Sequence, residues 1–72
     1  MKEIFGKRLR ELRIKSSETQ SDLALELKVG VSMISLWENG INYPEVKKLI
    51  EICAHYEISA DYLLGLSENP KR

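Results

Sequence analysis

The sequence predicts an all-α fold, a compact five-helix domain. Three observations carry that expectation. Apolar side chains recur at helical spacing in successive stretches. The breaks between those stretches hold Ser16-Ser17, Gly30, Asn39-Gly40 and Ser59, residue types that cap or end helices. A chain of 72 residues supports a single core, because a domain this small buries only about 60% of the surface its unfolded chain exposes. The folded unit is expected over residues 1–66, followed by a flexible polar tail over 67–72 that ends Pro-Lys-Arg.

The first helix is expected over residues 2–16. Phe5, Leu9 and Leu12 fall at i, i+4 and i+7 as its core stripe, with Ile4 beside it. Gly6 weakens its first turn by up to about 1 kcal/mol relative to Ala, and Ser16-Ser17 ends it. Thr19 suits an N-cap, with Asp22 three residues on as the acid of a capping box. Leu23, Ala24 and Leu27 form one apolar face of a second helix of about two turns. Lys28-Val29-Gly30 breaks that pattern, and Gly30 or Ser32 starts a third helix with Ile34 and Trp37 inward. Asn39-Gly40 stops it, since both residues tolerate positive φ. Ala24 is small enough for the third helix to cross close over the second, and Val29 is an apolar peg in the turn. Pro44 suits the first turn of a fourth helix, with Glu45 favourable beside the helix dipole. Val46, Leu49, Ile50 and Cys53 read as its core stripe, with Ile52 and Tyr56 on a flanking face. Cys53 reads as a small buried hydrophobe, His55 as a surface residue, and Lys47 and Lys48 as solvated, with either able to approach DNA. Ser59 is the N-cap of a fifth helix, with Asp61 in its first turn and Tyr62, Leu63, Leu64 and Leu66 apolar.

Two short helices crossing steeply over a tight turn form a helix-turn-helix, whose second helix can enter a DNA major groove. Thr19-Gln20, Leu23-Ala24, Leu27, Val29, Ile34-Ser35 and Trp37-Glu38-Asn39-Gly40 carry that arrangement. In this spacing, without a gap, they resemble the helix-turn-helix of the Cro/lambda-repressor (Xre-type) family. The resemblance extends to Leu9-Arg10-Glu11-Leu12-Arg13, to Pro44 and to Tyr62-Leu63-Leu64-Gly65, nearly the whole chain. It implies a repressor-like DNA-binding domain, hence a sequence-specific regulator of transcription on double-stranded DNA, expected to repress. The recognition helix, about residues 30–38, would lie in the major groove.

Once Ile34 and Trp37 point inward, Val31, Ser32, Met33, Ser35 and Leu36 remain to face bases. By resemblance, Val31, Ser32 and Leu36 stand where relatives commonly carry Gln, Arg or Asn. Only Ser32 and Ser35 can hydrogen-bond, and neither reaches a bidentate contact to guanine or adenine. Val31, Met33 and Leu36 suit thymine methyl groups, which predicts a modest A·T-leaning preference. Phosphate contacts are expected from Thr19, Gln20, Arg10, Arg13, Asn39, Asn42 and Tyr43. Gln20 would offer its backbone N–H at a positive helix end and its side-chain amide. Relatives often place Lys or Arg between Asn-Gly and Pro. Ile41-Asn42-Tyr43 adds no charge there, so salt dependence should be shallow. The resemblance also implies that Arg13 reaches Glu38 in a buried ion pair that fixes the recognition helix. Glu18 departs from the family pattern, in which an apolar residue staples the chain entry, so the start of the second helix is expected to fray. The apolar chain end suggests a homodimer through Ile52, Tyr56, Tyr62, Leu63 and Leu66, and in the family such a dimer spaces recognition helices about 34 Å apart.

Composition narrows the alternatives. There is no Ser/His/Asp set, glycine-rich phosphate loop or metal cluster, so no enzyme, cofactor or metal is expected. One Cys and one His exclude an internal disulfide and leave too few ligands for structural zinc. No apolar leader or membrane-length run is present, which favours a cytoplasmic protein without a membrane partner. Formal charge is zero, yet residues 1–15 carry +4 while 16–40 carry −3 and 41–72 carry −1. A chain divided in this way still presents a basic edge. A second reading competes with DNA. Leu25, Val31, Met33, Leu36 and Ile41 would form an apolar patch suited to a protein-interaction module on the same fold, antirepressor or antitoxin-like.

Overall fold

The computed structural model describes residues 2–72. Five helices follow in order: α1 (Lys2–Lys15), α2 (Gln20–Leu27), α3 (Val31–Glu38), α4 (Val46–Tyr56) and α5 (Ala60–Leu64). No helix of the described residues is long and apolar enough to cross a membrane.

The helices share one way of ending. Backbone N–H groups of Glu18, Val29, Ile41 and Ile58 donate to the carbonyls of Arg13, Ala24, Leu36 and Cys53, each at 3.0 Å, and that of Leu66 to Asp61 at 2.7 Å. The residue before each donor is left-handed: Ser17, Lys28, Gly40, Glu57 and Gly65, with φ between 55° and 87°. This is the Schellman closure, which satisfies carbonyls orphaned at a helix end. The residue that closes it is apolar at 29, 41, 58 and 66 and acidic at Glu18. Helix starts are more varied. The Thr19 hydroxyl accepts from the Asp22 N–H at 3.0 Å while the Asp22 carboxylate accepts from the Thr19 N–H at 2.9 Å. The Ser59 hydroxyl accepts from the Tyr62 N–H at 3.0 Å. Gly30 precedes α3 with no side-chain cap. The turn after α3 takes positive φ at Gly40 alone, Asn39 remaining at φ −89°.

The core gathers Phe5 and Leu9 of α1, Leu23, Ala24 and Leu27 of α2, Ile34 and Trp37 of α3, Ile52 and Cys53 of α4, and Ile58 and Leu63. Full burial of a Leu, Ile or Phe side chain contributes about 1.5–3 kcal/mol, so these residues carry most of the stability. Burial of the Cys53 thiol raises its pKa and keeps it unreactive. Gly6 proves to be a packing residue. A Cβ there would lie 2.5 Å from the Trp37 carbonyl oxygen and 2.6 Å from that of Glu38, so α3 ends directly against the α1 backbone.

Several expectations need correction. Pro44 lies ahead of α4, whose N-cap is Glu45. The inward stripe of α4 is Leu49, Ile52, Cys53 and Tyr56, while Val46 and Ile50 stand 71% and 62% exposed. Both candidate stripes have helical spacing and share Leu49 and Cys53. Packing against neighbouring helices turned the helix toward Ile52. Ile52 and Leu63 are wholly buried in the chain's own core, so neither has surface for a second copy. Tyr62 lies beneath the Arg8 guanidinium, 4.2 Å from the ring centroid. Arg8 also donates to the carbonyls of Tyr62 and Ser67, the latter at 2.9 Å, and pairs with Glu68 at 3.1 Å. The Ser59 N–H donates to the Pro70 carbonyl at 3.0 Å. Residues 67–70 are thus tied back onto the domain, where a flexible tail was expected.

Glu18 does not leave α2 to fray. Its carboxylate accepts from the Tyr56 hydroxyl at 2.6 Å and lies 2.6 Å from His55 Nε2. A polar anchor to α4 replaces the apolar staple, and His55 is a half-buried partner rather than a surface residue. Burial first, then the bond to Glu18, pushes the Tyr56 phenol far above its ordinary range. Lys48 is likewise not simply solvated, since it donates to the Leu27 carbonyl at 2.6 Å and pairs with Glu51 at 3.0 Å.

Candidate nucleic-acid interface

Helix α3 has a buried side and a presented side. Ile34 and Trp37 enter the core. At about 100° per residue, Ser32 and Leu36 stand opposite them, with Val31 and Ser35 along one edge and Met33 along the other. Val31, Met33 and Leu36 are 43%, 37% and 38% exposed, so their stems pack on the protein while their tips stand clear. Ser32 is exposed and Ser35 is half-buried. The Ser35 oxygen accepts from the Asn39 amide at 3.2 Å, which joins two expected DNA contacts to each other.

The frame behind this face centres on Glu38, whose side chain is 3% exposed. Arg13 Nε donates to Glu38 Oε2 at 2.6 Å and Nη2 to Oε1 at 3.1 Å. Arg13 Nη1 donates to the Glu18 carbonyl at 2.7 Å, and Gln20 Nε2 donates to Glu38 Oε1 at 3.0 Å. One guanidinium, 11% exposed, therefore ties α1, the entry to α2 and the last turn of α3. The Glu38 hydrogen bond raises the Arg13 pKa and burial partly opposes it, so the cation persists at any working pH.

This arrangement changes two expected phosphate contacts. Arg13 has every side-chain nitrogen engaged inward and its side chain is 11% exposed, which makes it a positioning residue. The Gln20 amide is held by Glu38, leaving its first-turn backbone N–H, which has no intrahelical acceptor. Arg10 is exposed and shares a depression with Lys7, Glu38 and Asn39. Thr19 is exposed beside Gln20. Asn42 and Tyr43 line a second depression with Met33 and Lys48, and the Tyr43 ring packs edge-on against Phe5 at 5.7 Å. Sequence reasoning missed Lys7, whose signal was its place one turn before Arg10 on the same helix, and the Glu38 hold on Gln20.

Local charge follows from the same contacts. Glu38 is neutralised by Arg13, Glu18 is turned toward His55 and Tyr56, and Asp22 caps the backbone. Of the four acids between residues 16 and 40, three are thus engaged inward or on backbone. Lys7 and Arg10 meanwhile stand near the end of α3, in a depression that Glu3 and Glu11 also line, and Lys28 lies in the turn before its start.

The comparisons agree with this geometry. The helix-turn-helix family HTH_3 matches residues 9–63. The chain is 37% identical over 68 residues to the HTH-type transcriptional regulator ImmR of Bacillus subtilis, covering 94% of this chain and 54% of that protein. It is 36% identical over 64 residues to the HTH-type transcriptional activator BcrR of Enterococcus faecalis, covering 89% of this chain and 31% of that protein. It is 31% identical over 67 residues to the uncharacterized HTH-type transcriptional regulator YobD of Bacillus subtilis, covering 93% of this chain and 60% of that protein. The chain thus spans between 31% and 60% of the length of these relatives. Its buried Glu38 frame and outward-facing α3, together with a family match over most of its length, make this chain a member of the Xre/Cro-type helix-turn-helix family of transcriptional regulators.

Proposed function

We propose that this chain is a double-stranded-DNA-binding domain that regulates transcription from an operator, with α3 in the major groove. The observation that carries the reading is a recognition helix locked on one side by Ile34, Trp37 and the Arg13–Glu38 pair, with its other side presented and Lys7 and Arg10 near its end. Val31, Ser32, Met33 and Leu36 would meet base edges, with Ser35 at the margin. Thr19, the Gln20 backbone, Arg10, Asn39, Asn42 and Tyr43 would meet phosphates, joined by Lys7. Repression by occupancy is the simplest mode, because a domain seated in the groove excludes polymerase with no further contact. No catalytic role is proposed. Action on the genome would place the protein in the cytoplasm.

We also propose a homodimer, moved from the expected residues to an apolar groove lined by Tyr43, Pro44, Leu49, Leu64 and Leu66. Val46 and Ile50, one helical turn apart, continue it along α4. Of the residues first expected at this interface, Leu66 alone is exposed there; the Tyr56 hydroxyl and Tyr62 ring are engaged within the chain. The rival reading, a protein partner on the apolar face, draws on the exposed Leu25, Val31, Met33, Leu36 and Ile41.

Selection from a random duplex pool decides between them. An enriched palindrome bound by two chains, with half-sites about one turn apart, supports the DNA reading. Ser32→Glu should then abolish binding through phosphate repulsion. The slope of log affinity against log salt should be shallow, since each phosphate neutralised contributes about −0.9. Absence of enrichment, with feeble binding that vanishes at moderate salt, would overturn it.

A further inference from the structure

Resting on the DNA reading above, we propose that α3 reads methyl groups. Val31, Met33 and Leu36 form an apolar contact surface for the C5-methyl of thymine in the major groove and, by the same chemistry, for that of 5-methylcytosine. The face lacks long polar side chains. No Arg, Lys, Gln or Asn projects from its outward positions, and Glu38 is buried. Ser35 is half-buried and already accepts from Asn39, leaving Ser32 as the one exposed hydroxyl on the face. Neither hydroxyl forms the forked pair that identifies guanine or adenine.

What the face has is three apolar tips on fixed stems. Their partial exposure, 37–43%, means that ordering them against a ligand sacrifices little rotamer freedom. Pressed against a methyl-free base edge, they would desolvate acceptors and donors without replacing a hydrogen bond, which is unfavourable. Against a methyl group the same contact is favourable. The C5-methyl is the apolar group that a base pair displays in the major groove, so the face discriminates by methyl position. The occupant is a polyanion rather than an apolar protein surface because Lys7 and Arg10 stand at the end of the helix and Lys28 in the turn before its start, while Glu18, Asp22 and Glu38 are engaged within the chain.

The test takes the duplex enriched from a random pool and re-synthesises it with deoxyuridine at each thymine in turn, a change that removes the methyl alone. Affinity should fall about fourfold for each contacted methyl, the equivalent of one buried carbon at about 0.8 kcal/mol. Thymines in the flanks should be indifferent. Cytosine at a contacted position should weaken binding, and 5-methylcytosine there should recover about the same fourfold relative to cytosine. Leu36→Ala or Met33→Ala should shrink the thymine-to-uracil ratio while Ser32→Ala preserves it, with helical circular dichroism confirming that each variant is folded. A uracil duplex that still binds within about twofold of the thymine duplex overturns methyl reading and leaves the DNA reading standing. A pool that yields no enriched duplex overturns both.

Discussion

Replacing Glu38 with Gln tests the frame behind the recognition helix. The substitution keeps the shape and removes the charge. In the native chain, Glu38 accepts three hydrogen bonds, from Arg13 Nε at 2.6 Å, Arg13 Nη2 at 3.1 Å and Gln20 Nε2 at 3.0 Å. A glutamine amide has one oxygen, so whichever way it turns, its NH2 confronts at least one of those donors. The Arg13 charge remains in place, 11% exposed, with its counter-charge gone. Breaking a buried pair on one side costs about 3–5 kcal/mol, and surviving neutral bonds bring the expectation to the lower end, about 3 kcal/mol. A domain of this size holds roughly 4–11 kcal/mol in all. At roughly 4–8 °C per kcal/mol, the melting midpoint should fall by roughly 12–24 °C. Thermal and urea melts followed by helical circular dichroism measure this directly. Raising salt should leave the loss almost unchanged, since screening acts mainly on exposed charges. The double variant Arg13→Met with Glu38→Leu should regain much of it, because a well-packed apolar pair removes the orphaned charge. A loss below about 1 kcal/mol, or one that disappears in high salt, is the behaviour of a surface pair and would refute the reasoning.

Three further outcomes are expected. Gly6→Ala should destabilise by roughly 1–3 kcal/mol in urea titration, even though Ala favours helix by up to about 1 kcal/mol, because its Cβ would meet the Trp37 and Glu38 carbonyls; a stabilised variant would contradict that close approach. Tyr56 keeps its proton in the folded chain at pH values where the unfolded chain has lost it, so its contribution is complete below about pH 10 and declines above it. A pH series of urea midpoints should show that alkaline decline, and Tyr56→Phe should lessen it while weakening the fold by about 1 kcal/mol at neutral pH. Ile50→Lys should shift sedimentation toward the monomer and move the unfolding free energy of the monomer by no more than about 0.5 kcal/mol, as an exposed position permits. Unchanged sedimentation would remove α4 from the interface.

The helices and their order were legible because caps, stops and apolar spacing are local signals. Thr19 with Asp22, Ser59 and Gly40 each declare a helix boundary within a few residues of chain. The rotation of α4 was not legible, since 46-49-50-53 and 49-52-53-56 are both helical stripes and only the neighbours choose between them. Gly6 read as a weak helix residue because the carbonyls that require it lie more than thirty positions away. Glu18 read as a missing staple for a similar reason: its partners, His55 and Tyr56, come from another helix. The outward face of α3 could be read by elimination, but which of its neighbours were already engaged could not. Arg13 and Gln20 look like phosphate donors in one dimension and turn out to hold Glu38 in three.

The division of α3 into a held side and a presented side has a consequence for descent. Ile34, Trp37 and Glu38 carry the fold, whereas Ser32 and the tips of Val31, Met33 and Leu36 stand clear of it. Substitutions that keep the packed stems and change only what stands clear cost less stability than any at the buried positions. A lineage can therefore explore new operators one residue at a time without passing through unfolded intermediates, and a designer can graft another recognition surface onto the same frame. The positions most exposed to selection for specificity are those where mutation is least punished.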